Sequence, residues 1–247
     1  MRWVPSKMYG WRGRIGMLFP SAGLVEREVE KMLPEGVSLH VTRIPMRRPT
    51  GEELAHLSDR VEEAAGLLAD ARVDVIAFNC TLGSLIKGAG YDREIIGRIE
   101  AATGIPATTT ATAVVAGLRT LGIAKLVLVT PYVEEMNAIE LAFLEAQGFR
   151  VLSHKGLGLQ DPFEQMGVEP ARWYRTVRER ADAQADGYFL SCAGIRAVDI
   201  IGALETDLGK PVITSNQALA WHCLRMIGVR EPIAAYGALL KAQLLER

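Results

Sequence analysis

Residues 71–84 read ARVDVIAFNCTLGS, and residues 183–196 read AQADGYFLSCAGIR. Each stretch opens on a short acidic turn and runs through an uninterrupted apolar segment of strand type to a cysteine. Small or hydroxylic residues suited to a helix start follow. Cys80 and Cys192 thus hold matching places in two similar passages of one chain. Outward from them the likeness continues. Residues 14–28 (RIGMLFPSAGLVERE) pair with 125–140 (KLVLVTPYVEEMNAIE), each an apolar strand, a proline turn and an acidic helix start. Residues 104–122 (GIPATTTATAVVAGLRTLG) pair with 209–228 (GKPVITSNQALAWHCLRMIG). Gly104 to Gly209 spans 105 residues and Cys80 to Cys192 spans 112, so insertions between the halves are few.

This pattern predicts an internal duplication. The N-terminal lobe spans residues 1–122 and carries Cys80. The C-terminal lobe spans 123–247 and carries Cys192, with a C-terminal helix packing back on the first lobe. The lobes are related by an approximate two-fold. The strand candidates 15–19, 73–78, 126–130, 187–191 and 212–213 are apolar throughout, as in parallel strands covered on both faces. Helical patterns lie between them: 49–71 with a Thr50/Glu53 capping box, 134–147 closed by Gly148, and 170–183. The fold class is therefore α/β, two similar lobes each with a short parallel sheet flanked by helices. Ligands of such sheets lie beyond the carboxyl ends of the strands. Cys80, Tyr132, Cys192, the turn Ser21-Ala22-Gly23 and the pair Thr109/Ser215 all fall there, which predicts a cleft between the lobes.

Composition narrows the function. A formal net charge of −1 over 247 residues gives no electrostatic case for nucleic acid or an anionic membrane. The cluster Arg43, Arg47, Arg48 reads as a solvated face. No apolar run reaches the ~20 residues that span a bilayer, and residues 1–14 lack the apolar core of a signal peptide. Three cysteines without a CxxC pair point to free thiols in a reducing compartment, the cytoplasm. Neither GxGxxG nor GxxxxGK[ST] occurs, so no nucleotide cofactor is expected. His40, His56, His154 and His222 share no ligand spacing, so no metal is expected either.

At the strand ends the chemistry-bearing types converge. A cysteine before a helix start gains N–H groups that favour its thiolate and lower its pKa. Cys80, followed by Thr81 and Ser84, and Cys192, followed by Ala193 and Gly194, both read so. The alternative for each is a small buried apolar residue, which is the reading for Cys223. Tyr132 could donate to a carboxylate or enediolate oxygen, or simply pack between the lobes. Thr109 and Thr110 are further donors or helix caps, and Asn79 is a site residue or a turn former.

Taken together, PSAGLVE after the first strand, VTPYVEEMN at the midpoint and SCAGIRAVD late resemble the aspartate/glutamate racemase superfamily, in the branch of maleate cis-trans isomerases and arylmalonate decarboxylases. The resemblance covers nearly the whole chain. It implies a cofactor-free, metal-free enzyme acting on a small carboxylate. By motif it makes Cys80 the nucleophilic cysteine and Cys192 the proton donor. It puts the Tyr132 hydroxyl on the substrate carboxylate, with Ser21, Ala22, Gly23 and the segment from Thr81 to Ser84 cradling the carboxylate oxygens. Two features depart from the isomerases. Gly23 and Pro162 stand where those enzymes carry carboxylate-binding asparagines. The run AGLV is like the decarboxylases, which however have glycine in place of Cys80.

Three functions follow. The first is an isomerase, cis-trans or racemising, in which two opposed sulfurs roughly 6–8 Å apart reach one carbon region. The second is an arylmalonate-type decarboxylase using Cys192 as proton donor. The third is a non-catalytic carboxylate-binding protein. A homo-oligomer is compatible with all three, since both halves of the site lie in one chain.

Overall fold

The computed structural model describes residues 8–24 and 26–244. Val25 and the first residues of the basic N-terminal stretch lie outside them. Among the described residues, eight strands form two parallel sheets. The first contains β1 (Gly13–Pro20), β2 (Val37–Ile44), β3 (Val75–Phe78) and β4 (Ala107–Thr109) in the order β2-β1-β3-β4. The second contains β5 (Lys125–Thr130), β6 (Arg150–Gly156), β7 (Gly187–Leu190) and β8 (Val212–Thr214) in the order β6-β5-β7-β8. The orders are identical, as a duplicated chain requires. All residues of β3 and β7 are buried, which explains their unbroken apolar runs VIAF and GYFL.

The edge strands β2 and β6 are absent from the strand candidates. Both are half-exposed and carry polar residues (VSLHVTRI and RVLSHKG), so a search for continuous apolar runs passes over them.

The helices are α1 (Glu26–Glu30), α2 (Gly51–His56), α3 (Val61–Asp70), α4 (Thr81–Leu85), α5 (Tyr91–Thr103), α6 (Thr110–Thr120), α7 (Glu134–Ala146), α8 (Pro162–Gly167), α9 (Pro170–Glu179), α10 (Ile201–Leu208) and α11 (Ser215–Met226). The single helix expected over 49–71 is two. It breaks because Arg98 Nη2 takes the Ser58 carbonyl at 2.9 Å and the Ser58 hydroxyl pairs with the Tyr91 phenol at 2.6 Å. The Thr50 cap is present, its oxygen accepting Glu53 N–H at 3.2 Å. The Glu53 carboxylate, however, turns to the N–H groups of Arg47 and Arg48 instead of closing the box. The helix expected over 170–183 stops at Glu179.

The chain end forms 3-10 turns, Ala234–Tyr236 and Leu239–Lys241, rather than a helix. Leu239 of this segment lies over Gly117 of α6. The segment is held to α11 by Trp221 Nε1 and Arg225 Nε, both donating to the Ala242 carbonyl at 2.9 Å. The lobes are also tied by Glu28 of α1, whose buried carboxylate accepts the N–H groups of Ala197 and Val198 at 2.8 and 2.9 Å. Among the described residues no helix is long and apolar enough to cross a membrane.

Candidate active site

The two cysteines stand at the ends of the equivalent central strands, one residue beyond Asn79 and Ser191, and both line one narrow cavity of about 50 Å³. Tyr132, one step past the Pro131 turn, lines it as well. Thr81, Ala193, Gly194 and Gly23 complete the predicted residues that reach the cavity. Apart from Gln165, the other walls are apolar: Phe19, Met46, Leu54, Leu82 and Met166, with Pro20, Pro49 and Pro162. Pro49 is shared with a wider cleft of about 480 Å³, rimmed by Arg48, Glu135, Asp161 and Glu164.

The backbones around the two sulfurs differ, contrary to the matched helix starts expected. Cys80 is extended (φ −151, ψ 111) and caps α4, its sulfur accepting the Gly83 N–H at 3.4 Å. A Cβ at Gly83 would sit 2.9 Å from that sulfur and 2.8 Å from Leu57 Cδ2, so a larger residue there would push on both. Cys192 begins no helix. It holds φ +129, a region L-residues avoid, and its sulfur accepts the Gly194 N–H at 3.1 Å.

Burial outweighs these donors. The Cys80 thiol is pushed up to about 12, and the Cys192 thiol to about 11. The expected lowering of both pKa values is therefore overturned, because removing a thiolate from water costs more than one N–H returns. For Cys192 the Tyr132 hydroxyl is a second donor that pulls the thiol part of the way back. The phenol, raised well above its usual range by burial and by the neighbouring sulfurs and Glu140, stays protonated and can only donate when a thiolate or carboxylate faces it.

The other candidates lie behind the cavity wall. Ser21 is locked to Met46, donating to its carbonyl at 3.1 Å and accepting its N–H at 3.0 Å, and so ties the first loop to the chain just beyond β2. Ala22, beside it, and Ser84 are also outside the lining. Ser84 donates to the Thr81 carbonyl at 2.8 Å and accepts Ala111 N–H at 3.1 Å. Asn79 is fully buried in a network with Asn216 and Thr110. Thr109 is a cap for α6. The histidines pair separately, His154 with Glu134 and His56 with Asp59 among them.

Gln165 and Glu140 escape the sequence reading, and Arg43 does more than it predicts. Gln165 lines the cavity, its Oε1 3.9 Å from the Cys192 sulfur and its Nε2 committed to the Leu159 carbonyl at 3.0 Å. Leu82, within the Thr81 to Ser84 segment singled out in the sequence, lines the cavity from the first turn of α4. Glu140 lies buried on α7, accepting the Ser191 hydroxyl at 2.5 Å, and its carboxyl is pushed up to about 7 by burial. Arg43 lies on an exposed face, as expected, but its guanidinium is engaged. It reaches the carbonyls of Pro20 and Gly23 and the Glu26 carboxylate, and lies 5.4 Å from the Phe19 ring centre. Its place in a polar triplet masks that role, whereas its position on an edge strand beside the PSAG loop would have marked it.

Known proteins carry the same frame. A maleate isomerase from Geobacillus stearothermophilus is 27% identical over 93% of this chain and 98% of its own. An arylmalonate decarboxylase from Bordetella bronchiseptica is 29% identical over 87% and 90%. A maleate cis-trans isomerase structure from Nocardia farcinica superposes with a TM-score of 0.87 at 25% identity, covering 93% of this chain and 98% of that one. That enzyme is a cysteine-to-serine variant with a covalently bound succinylcysteine intermediate. These matches support a cysteine-based isomerase, with decarboxylation as the alternative activity. The arylmalonate decarboxylase family pattern matches residues 15–240, nearly the whole chain, and the chain belongs to that family.

Proposed function

We propose that the cleft isomerises a small acid carrying one carboxylate and an apolar arm, by proton transfer between two opposed thiols. The observation that carries this reading is that both sulfurs and the Tyr132 phenol line one cavity whose remaining walls, apart from Thr81 and the Gln165 amide, are apolar or main chain. The Tyr132 hydroxyl and backbone N–H groups about Thr81 and Gly194 hold the carboxylate. Phe19, Met46, Leu82 and Met166 take the arm. A dicarboxylate such as maleate needs a second set of donors, and Gly23 and Pro162 supply no side-chain amide there.

Either thiol is costly to ionise, and a first thiolate raises the second, so the site carries one base and one acid. The thiolate removes the α-proton and becomes a thiol, leaving an enediolate. The opposite thiol returns a proton to the other face and becomes the thiolate. The sulfurs exchange roles with each turnover, and atoms and charge balance. Tyr132 and the N–H donors bear the enediolate charge.

Decarboxylation of a substituted malonate is the second reading, favoured by the same apolar wall, against which a departing carboxylate is destabilised. Both readings put the chain among carboxylate enzymes of the cytoplasm, where its three free cysteines stay reduced. Neither requires a second subunit.

Proton NMR in D2O tests the assignment, with (S)-2-phenylpropionate, phenylmalonate and maleate beside Cys80→Ala and Cys192→Ala. Exchange and racemisation of the propionate that need both thiols support it. Carbon dioxide loss from phenylmalonate that needs only Cys192 moves the enzyme to the decarboxylases. Fumarate from maleate contradicts the single-carboxylate assignment.

A further inference from the structure

The first turn of α11 touches the residues flanking both cysteines. Thr81, which follows Cys80, donates to Ser215 Oγ at 2.9 Å, and the same oxygen accepts the main-chain N–H of Cys192 at 3.0 Å. Asn79, which precedes Cys80, donates to Asn216 Oδ1 at 3.2 Å. Asn216 Nδ2 in turn donates to the carbonyl of Ala193 at 3.1 Å, just after Cys192. All four side chains are buried. The equivalent turn of the first lobe makes no such link, for Thr110, at the place of Ser215, bonds only to Asn79 and the Phe78 carbonyl of its own lobe.

The bridge is thus one-sided, and it brackets the strained residue. Cys192 keeps φ +129 with its N–H tied to Ser215 and the next carbonyl tied to Asn216. A backbone state of this kind persists only where its surroundings over-determine it.

We infer that Ser215 and Asn216 are positioning residues that set the facing of the two thiols by joining the Cys80 and Cys192 loops through two parallel hydrogen-bond relays. The relays run Thr81–Ser215–Cys192 and Asn79–Asn216–Ala193. The inference extends the two-thiol reading above, yet its test needs no substrate.

The experiment is peptide-resolved alkylation by iodoacetamide at pH 8 of the wild-type chain, Ser215→Ala and the near-isosteric Thr81→Val. Cys223, buried in α11 itself, is the internal control for general loosening. Both variants should speed labelling of Cys80 and of Cys192 by roughly tenfold or more, the scale of releasing a strained residue, with Cys223 unchanged. The informative arm is Thr81→Val, a change in the first lobe read out at a thiol of the second. Unchanged labelling of Cys192 in that variant overturns the inference, as does a rise at all three cysteines together. Inactivity toward every carboxylate would count against the proposed reaction and leave these labelling outcomes as they are.

Discussion

Replacing Glu140 by glutamine should flatten the pH dependence of stability. The carboxyl is 1% exposed, its Oε1 accepts the Ser191 hydroxyl and its Oε2 has no partner, so the charged form has little to offset its burial. Its pKa rises from 4.5 to about 7. The folded state therefore holds a proton that the unfolded chain releases, and stability is full below pH 4.5 and falls until pH passes 7. A tenfold difference in proton affinity between the two states is worth about 1.4 kcal/mol, so the loss between pH 5 and pH 8 is about 2–3 kcal/mol. Glu140→Gln keeps the acceptor for Ser191 and cannot ionise. Urea unfolding at pH 5 and pH 8 reads the difference directly. The wild type should lose about 2–3 kcal/mol more than the variant over that interval. An equal pH dependence in the two proteins would refute the buried, under-satisfied carboxyl.

Three other perturbations test the surroundings of the thiols. Gly156→Ala would drive a Cβ into the Tyr132 carbonyl and the Asn137 amide. It should cost about 1–3 kcal/mol of stability in thermal unfolding and displace the phenol, lowering turnover more than a Tyr132→Phe change does. Arg43→Met removes the cation that holds the Pro20 and Gly23 carbonyls, and should cost about 1–2 kcal/mol by urea unfolding, with weaker substrate binding. With both thiols far above neutral, alkylation of Cys80 and Cys192 should climb about tenfold per pH unit from 7 to 10. A plateau near pH 8.5 would contradict their desolvation.

The buried centre of the fold was legible because duplication repeats it. The runs around β1, β3, β5 and β7 are continuous and paired, and each delivers its loop to the cleft at a predictable place. The edge strands β2 and β6 were not, since strands wetted on one side carry ordinary polar residues. That the cysteines, Tyr132, Thr81 and Gly194 would reach one cleft could be read from chain position alone. Ser21, Asn79 and Ser84 have the right residue types at the right turns, but their side chains are committed to main-chain or network partners, which spacing does not reveal. The thiol pKa values escape the sequence for a related reason. A helix start is visible in sequence, whereas the depth of burial depends on how two lobes close. Gln165 and Glu140 come from elements whose orientation only packing decides.

The proposed reaction needs two sulfurs that address opposite faces of one bound carbon, and the two enantiomers of 2-bromo-2-phenylacetate test this directly. Displacement of bromide inverts the carbon, so with carboxylate and ring held alike each enantiomer presents its reactive face to one sulfur only. Peptide mapping after treatment with each enantiomer should find one on Cys80 and the other on Cys192, with Cys223 unlabelled. Labelling of the same cysteine by both enantiomers would contradict the opposed-thiol site.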